Sequence, residues 1–198
     1  MTSRLYYIIA LIFIPLTCES QDGTAGSSGN KSTGNHVYIS GETNINCFEC
    51  RYNKKADDKH DLNILSSFGK VSGEKIDTYI PVSEFKCSNV HMYNDFLKLL
   101  HAGDYPYIKI ELDHSQVKNI QPGKSSVDLN VSITIDNITE VKPISCLINN
   151  PGNDTMSITG ETTVDLVDFN LKPPVKFMGL IKVRDKVRID FSFNFNLV

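Results

Sequence analysis

The sequence predicts an all-β protein, built as a single antiparallel barrel of about eight strands with one short helix between strands. Apolar and polar residues alternate along several long segments, as they do in strands with one face on a core and one in water. The helical patterns that would connect parallel strands are almost absent, which favours an antiparallel sheet. A sheet of this size closes readily into a barrel, because closure removes its exposed edges.

The first twenty residues have the organisation of a secretory signal peptide. Arg4 precedes an uncharged, largely apolar run from Leu5 to Leu16, which is too short for a bilayer span of roughly twenty residues. Cys18 and Ser20 are small residues at the two positions that a signal peptidase recognises, so we expect cleavage after Ser20 and export to the periplasm or the medium. The alternative is a lipoprotein anchored through Cys18, which residues 15–17 suit poorly.

The exported part divides into a tether and one folded domain. Residues 21–35 contain four glycines and no aliphatic side chain larger than alanine, so we expect a flexible tether. Residues 36–198 are long enough for one domain with a substantial core. The net charge of −3 and the absence of a basic cluster exclude a nucleic-acid partner, since phosphate binding needs concentrated Lys and Arg.

Five segments alternate strongly, and four more do so weakly, which together predict eight or nine strands. The apolar positions of the strong segments are Ile76, Ile80 and Val82; Ile108, Ile110 and Leu112; Val127, Leu129, Val131, Ile133 and Ile135; Met156, Ile158, Val164 and Leu166; and Val187, Ile189, Phe191, Phe193, Phe195 and Leu197. The weaker patterns lie at residues 37–40, 44–52, 62–68 and 142–148.

One helix interrupts the strands. Ser88 or Asn89 is placed to cap it, and Gly103 to terminate it. Between them lies an apolar stripe at helical spacing, formed by Met92, Phe96, Leu97 and Leu100. The helix is expected to pack over one barrel opening or against the wall, as a structural element rather than as a lid for a ligand.

Cleavage after Ser20 leaves four cysteines, Cys47, Cys50, Cys87 and Cys146, and an even number in an exported chain favours disulfides. Four cysteines allow three connectivities, among which the sequence alone does not choose. Cys47 and Cys50 have a spacing that zinc and redox sites use, but no second pair has this spacing. The two also lie in a strand with their side chains on opposite faces, so structural disulfides are favoured over a metal or redox site.

No pattern in the sequence indicates catalysis, a metal or a cofactor. The five histidines are scattered and flanked mostly by polar residues, and no nucleophile elbow or phosphate-binding loop is present. We therefore expect a protein that is not an enzyme. A buried cluster of histidine and carboxylate side chains would change that expectation.

Three segments together indicate a family. Residues 80–110 place Phe85, Cys87, Met92, Asp95, Leu100, Tyr105, Pro106 and Ile108 in a strand, a polar turn, a helix and the next strand. Residues 160–191 contain Asp168, Phe169, Lys172, Pro173, Pro174, Gly179, Lys182, Val183 and Asp185, and residues 40–50 contain Gly41, Asn44, Phe48 and Cys50. These segments resemble the YceI-like family of exported, lipocalin-like barrels. One departure lies at residues 137–143, where the family often has a Gly-Val-Thr-Lys-Pro-like turn; the difference predicts a bulged or longer turn.

The resemblance implies a ligand, because some members of that family hold a polyisoprenoid or a similar amphiphile inside the barrel. It implies that an isoprenoid-like lipid or another apolar small molecule contacts Ile110, Val131, Ile133, Ile158, Val164, Phe169, Phe191 and Phe193. It also implies a Cys50–Cys87 disulfide, and we assign Cys47 and Cys146 to the second.

Two functions remain open at this point. The first is an exported protein that holds a lipid in its barrel, which is not an integral membrane protein. The second is a tethered structural or interaction module of the cell envelope whose barrel is filled. Alternation cannot distinguish them, because the same apolar side chains suit a hollow interior and a packed one.

Overall fold

The structure, a computed structural model, describes residues 35–54, 70–72, 75–117, 119–151, 155–176 and 181–196. The predicted leader, most of the tether and the weak strand pattern at residues 62–68 lie outside these ranges. The described strands are β1 (Asn35–Thr43), β2 (Cys47–Lys54), β3 (Lys70–Ser72), β4 (Lys75–Pro81), β5 (Lys86–Cys87), β6 (Tyr107–Asp113), β7 (Gly123–Ile135), β8 (Ile138–Asn150), β9 (Thr155–Asp165), β10 (Val175–Lys176) and β11 (Ile181–Asn196). The described helix, α1, spans Val90–Leu99, and short 3-10 turns lie at Val82–Glu84, His114–Gln116 and Leu166–Phe169.

All the described strands belong to one antiparallel sheet, in the order β3-β4-β6-β7-β8-β9-β11-β1-β2-β5, with β10 paired to β11. The sheet curls, because the short segment after β4 leads directly to β5, which pairs with β2 at the other end of the order. In that segment the ring of Phe85 packs against Tyr52 of β2, with centroids 5.6 Å apart. The predicted all-β, lipocalin-like barrel with one helix is confirmed.

The longest pairing joins β7 and β8 and shows how alternation makes the interior. Leu129, Val131 and Ile133 of β7 are buried, and the residues between them face outward. Asp136 and Asn137 form the connecting turn with φ values of 50° and 64°, as in the two-residue type I′ hairpin whose twist matches that of the strands. The predicted bulged or longer turn is therefore wrong, because every residue from Ile138 to Asn150 pairs in register.

Two predicted strand segments end where a local turn competes with the sheet. Thr43 Oγ1 accepts hydrogen bonds from the amides of Ile45 and Asn46, at 3.1 and 2.9 Å. This side-chain-supported turn separates β1 from β2 inside the predicted strand at residues 44–52. Leu166, predicted on a strand, lies in a 3-10 turn that Asp165 caps by accepting from the amide of Val167 at 3.2 Å.

The helix begins where predicted and ends earlier. Asn89 caps it, its side chain accepting from the amide of Met92 at 2.9 Å. The predicted end at Gly103 is wrong, because Leu100 is the C-cap and His101 adopts a left-handed φ of 46°. The amide of Ala102 donates to the carbonyl of Leu97, and that of His101 to Lys98, which is the Schellman arrangement that Gly usually completes.

Candidate functional site

The barrel encloses an apolar cavity. Its volume is about 120 Å³ when only positions for the centre of a water molecule are counted, and about 1400 Å³ when all space between atoms, including the opening to solvent, is counted. A single water needs only about 10–15 Å³ by the first measure, so the interior is far from filled. Seven of the eight predicted ligand residues line this cavity, namely Ile110, Val131, Ile133, Ile158, Val164, Phe191 and Phe193.

The eighth, Phe169, is fully buried but does not line the cavity. It belongs to the 3-10 turn after β9, where Leu166 and Leu171 are buried with it. Phe169 is therefore a packing residue of the segment that follows β9. Contact of the other seven residues with a ligand stays a prediction.

Several apolar side chains that line the cavity are only half-buried, although the strand pattern turns them inward. Ile110 on β6, Ile189 and Phe191 on β11 and Phe48 on β2 are of this kind. A tightly filled barrel would bury such side chains fully, because interiors pack to the density of organic crystals. Their partial exposure agrees with space that protein atoms leave open beside them.

The opposite end of the interior, where β8 ends and β9 begins, is packed closed. Ile148 and Met156 are 0% and 2% exposed, and neither lines the cavity. Val117, in the connection between β6 and β7, is 4% exposed. That connection is fixed to β7 by Gln116, whose side chain accepts from the amide of Asn130 at 2.8 Å and donates to its carbonyl at 3.1 Å. We call this region the closed end.

Helix α1 lies at the other end, which we call the helix-covered end. Met92, Phe96 and Leu99 line the cavity from the helix, and none of the three is fully buried. The predicted stripe, expected to pack over one barrel opening or against the wall, contained Leu97, which does not line the cavity, and lacked Leu99, which does. The helix therefore forms part of the cavity wall, which its amphipathic pattern alone does not reveal.

Both ends of α1 are attached to the barrel. Before its first turn, Cys87 is bonded to Cys50 of β2, and the amide of Ser88 donates to the carbonyl of Glu49 at 3.0 Å. After its last turn, Nδ1 of His101 lies 2.8 Å from Oδ2 of Asp136 in the β7–β8 turn. The helix is thus held in place by contacts at its termini, above a cavity that leaves its apolar face partly uncovered.

Two glycines shape the cavity wall. Gly160 on β9 pairs with Phe191 of β11, and Gly41 on β1 pairs with Phe48 of β2. A Cβ atom on Gly160 would lie 2.6 Å from Cζ of Phe191, and one on Gly41 would overlap the ring of Phe48. Each ring therefore lies flat over a neighbouring glycine, a known pairing in sheets, and does not extend across the cavity.

Few polar groups reach the cavity. Among the described residues that line it, only Thr78, Asp95 and Thr162 carry a side-chain oxygen, and Cys146 carries a thiol. Burial, with a smaller effect from the charge of Asp128, raises the pKa of the Cys146 thiol from 9.0 to about 11. The thiol is therefore protonated at neutral pH and behaves as an apolar group.

The disulfide assignment was half right. The Cys50–Cys87 bond is present, closing a sequence separation of 37 residues. The assigned Cys47–Cys146 bond is wrong, because Cys146 is a free, buried thiol. Three strands of the sheet separate β8 from β2, which places the two cysteines on distant parts of the wall.

The described residues contain no group of three or more His, Cys, Asp or Glu side chains that could hold a metal ion. Within the same ranges, no helix is both long and apolar enough to cross a bilayer.

Comparisons with known proteins agree with this geometry. A family profile described as the YceI-like domain matches residues 33–195. A polyisoprenoid binding domain from Saccharophagus degradans, implicated in plant cell wall breakdown, superposes with a TM-score of 0.61 at 10% identity, over 83% of this chain and 94% of that one. BcnA of Burkholderia cenocepacia superposes with a TM-score of 0.53 at 18% identity, over 81% and 95%. At these identities the two structures show a shared fold, and a comparison with curated protein sequences yields no match.

Proposed function

The chain belongs to the YceI-like family, and from that premise we propose that it holds an isoprenoid-like lipid inside its barrel. The observation that carries the proposal is the apolar cavity beneath α1, which several only half-buried apolar side chains line. Bringing an apolar chain into this space removes both the chain and those side chains from water, at about 25 cal/mol for each Å² buried. The polyisoprenoid binding domain that shares this fold supports the same class of ligand.

The alternative of a tethered module with a filled barrel is disfavoured by the same cavity. A module that needs only its outer surface gains stability from every apolar contact in its interior. Phe48, Ile110 and Phe191 forgo such contacts in this barrel. Space of this kind costs stability unless a ligand fills it, which favours a binding function.

We propose export for the mature protein, as the leader and the tether predict. The Cys50–Cys87 bond supports it, because structural disulfides persist mainly outside the reducing cytosol. Mass spectrometry of the intact protein from the producing cell would test this proposal. A mature chain that begins at Gln21 is the expected result, and one that still carries residues 1–20 would contradict it.

Native mass spectrometry of protein purified from the producing cell tests the lipid proposal. The expected result is an added mass that disappears on denaturation and belongs to an apolar chain. Delipidated protein should then take up a prenol of about 20 carbons. Absence of any apolar ligand, together with no uptake of the prenol, would contradict the proposal.

A matched pair of variants connects binding to the cavity. Ile110→Phe adds volume to a half-buried side chain that lines the cavity, and Val141→Phe adds the same ring to the outer face of β8, where the side chain is 59% exposed. We expect the first to weaken prenol binding about tenfold, since it removes space worth over 1 kcal/mol of contact. The second should leave binding unchanged, and equal effects of the two would place the ligand outside the barrel.

A further inference from the structure

Large exposed apolar side chains concentrate at one end of the barrel. Nine such side chains, tyrosines included, are exposed among the described residues. Three lie on the outer faces of strands, and the other six lie at the helix-covered end. We call these six the rim residues: Ile45, Val90, Tyr105, Tyr107, Val167 and Val175. Scattered single apolar residues are normal on a protein surface, but their concentration at one end favours an interaction surface there.

Three rim residues come from the chain between neighbouring strands. Ile45 lies in the turn between β1 and β2, Val167 in the 3-10 turn after β9, and Val175 in β10. The amide of Asn44 donates to the carbonyl of Lys182 at 3.2 Å, and Lys182 also pairs with Val175. The turn that carries Ile45 therefore lies beside β10.

The other three rim residues belong to α1 and the chain that follows it. Val90 is the first residue of α1 and precedes Met92, which lines the cavity, by two positions. It therefore lies on the face of the helix that points away from the cavity. Tyr105 and Tyr107 follow where the chain passes from α1 into β6. Because the closed end is packed, a ligand that enters the cavity passes the end where these side chains lie.

The chain before β1 does not cover the rim residues. Oδ1 of Asn35, the first residue of β1, accepts from the amide of Asn194 at 2.8 Å. At the same end of the sheet, Asn196 pairs with Thr155 where β9 begins, so the chain before Asn35 leaves the barrel at the closed end. Residues 21–34 also carry no aliphatic side chain larger than alanine.

The rim residues suit a fluid lipid surface better than a rigid partner. Exposed polar residues flank Ile45 and Val90 on both sides, so these apolar side chains protrude separately. A stable protein interface needs one continuous, complementary patch of about 800 Å² on each partner. Separate apolar side chains can instead insert one by one between lipid head groups, and tyrosine rings favour the boundary between head groups and hydrocarbon.

The charges at this end have both signs. Lys86 and Lys98 are exposed there, and so are Glu84 and Asp104. Such a mixture attracts neither a strongly acidic nor a strongly basic partner. A zwitterionic bilayer matches these charges and the apolar side chains together.

We propose that the helix-covered end docks on the surface of a lipid bilayer through the rim residues, so that an apolar ligand passes between the membrane and the cavity without crossing water. This inference rests on the proposed function and names the surface with which the carrier exchanges its ligand. Burial of apolar side chains, and not charge, holds the protein there. Salt should therefore have little effect on docking.

Flotation of the purified protein with phosphatidylcholine vesicles tests the docking. We expect binding that changes less than about twofold when about 0.5 M salt or an anionic lipid is added. Ile45→Ser combined with Val90→Ser should weaken it about tenfold, and Val167→Ser combined with Val175→Ser should act in the same direction. Val141→Ser combined with Leu147→Ser is the matched control, because these side chains are similarly exposed on the outer face of β8, and it should leave binding unchanged.

Uptake of a prenol of about 20 carbons from the same vesicles connects docking to the cavity. The first rim pair should slow uptake about tenfold and keep the equilibrium affinity for the prenol, which also shows that its barrel is folded. Equal vesicle binding by the rim and control pairs would overturn the inference, as would a dimer that only the rim pairs dissociate, which would assign the surface to a second copy. Failure of the wild-type protein to bind the prenol would contradict the proposed function instead, while flotation still decides the docking.

Discussion

The closed end and the helix-covered end of the barrel are built from the same kinds of residue but packed to different degrees. At the closed end, Ile148 and Met156 are completely covered by their neighbours. At the helix-covered end, Ile110 of β6 and Phe96 of α1 line the cavity and remain half-buried. The difference indicates that the closed end stabilises the fold, whereas the other end keeps space for a ligand.

Truncating one isoleucine at each end should produce the largest contrast. Ile148→Ala removes fully packed methyl groups and leaves a new void, so we expect a loss of about 3 kcal/mol in the free energy of unfolding. Ile110→Ala enlarges a space that is already open, so its loss should stay near 1 kcal/mol. Urea unfolding of the ligand-free variants measures both. Equal losses would mean that Ile110 is as tightly packed as Ile148.

The disulfide tests how the helix-covered end is held. Replacing Cys50 and Cys87 together by serine releases a 37-residue separation and should lower the free energy of unfolding by about 2–4 kcal/mol. Because the bond lies just before α1, the variant should also exchange bound lipid faster. Hydrogen exchange should rise in α1 and stay low around Ile148. A uniform rise would show that the bond stabilises the whole fold and not this end in particular.

Alkaline pH tests whether water reaches the wall near Cys146. The folded thiol has a pKa of about 11, raised by burial and by Asp128, so the unfolded chain loses this proton first as pH rises. The thiol's contribution to stability is complete below about pH 9 and is lost between about 9 and 11, by about 1–3 kcal/mol.

The rate of alkylation of Cys146 against pH, with iodoacetamide as the reagent, measures this pKa directly. A midpoint near 11 is expected in the folded protein. Cys146→Ala supplies the background from other groups. A midpoint near 9 would reveal that the cavity wall at β8 is hydrated.

The smallest expected effect concerns the cap of α1. Asn89→Ala removes the acceptor for the amide of Met92 and should cost about 1 kcal/mol. Its influence should be confined to the helix-covered end, as faster amide exchange in α1 and a few-fold faster release of lipid. Ser83→Ala, in the exposed turn before β5, serves as a control that leaves the cap intact. An equal rise in the rate of amide exchange at Ile148 would contradict the separation of the two ends.

The strands followed from alternation, since its period of two is imposed by local backbone geometry, and the structure turns their apolar faces inward. Seven of the predicted ligand residues therefore line one cavity. Phe169 departs from this set because Asp165 caps a turn there and ends the strand. His101 ends the helix in a conformation usually taken by Gly, with its side chain beside Asp136, 35 positions away in the chain.

The alternation of apolar and polar residues could not show that the interior of the barrel is hollow. Whether an inward phenylalanine fills the barrel or lies along its wall depends on the residue opposite it on the next strand. That register is a property of the folded sheet, and the pairs Gly41 with Phe48 and Gly160 with Phe191 become visible only there. The sequence could not show the free thiol of Cys146 either, because the distance between Cys146 and Cys47 follows from strand order and not from the number or spacing of cysteines.

The two glycine–phenylalanine pairs make the open space inside the barrel sensitive to the addition of a single methyl group. Alanine at Gly160 would displace the ring of Phe191, because a Cβ atom there would lie 2.6 Å from its Cζ. Such a change adds one carbon to the chain but moves a whole ring. A single methyl group on one strand could thus change how much open space the barrel contains.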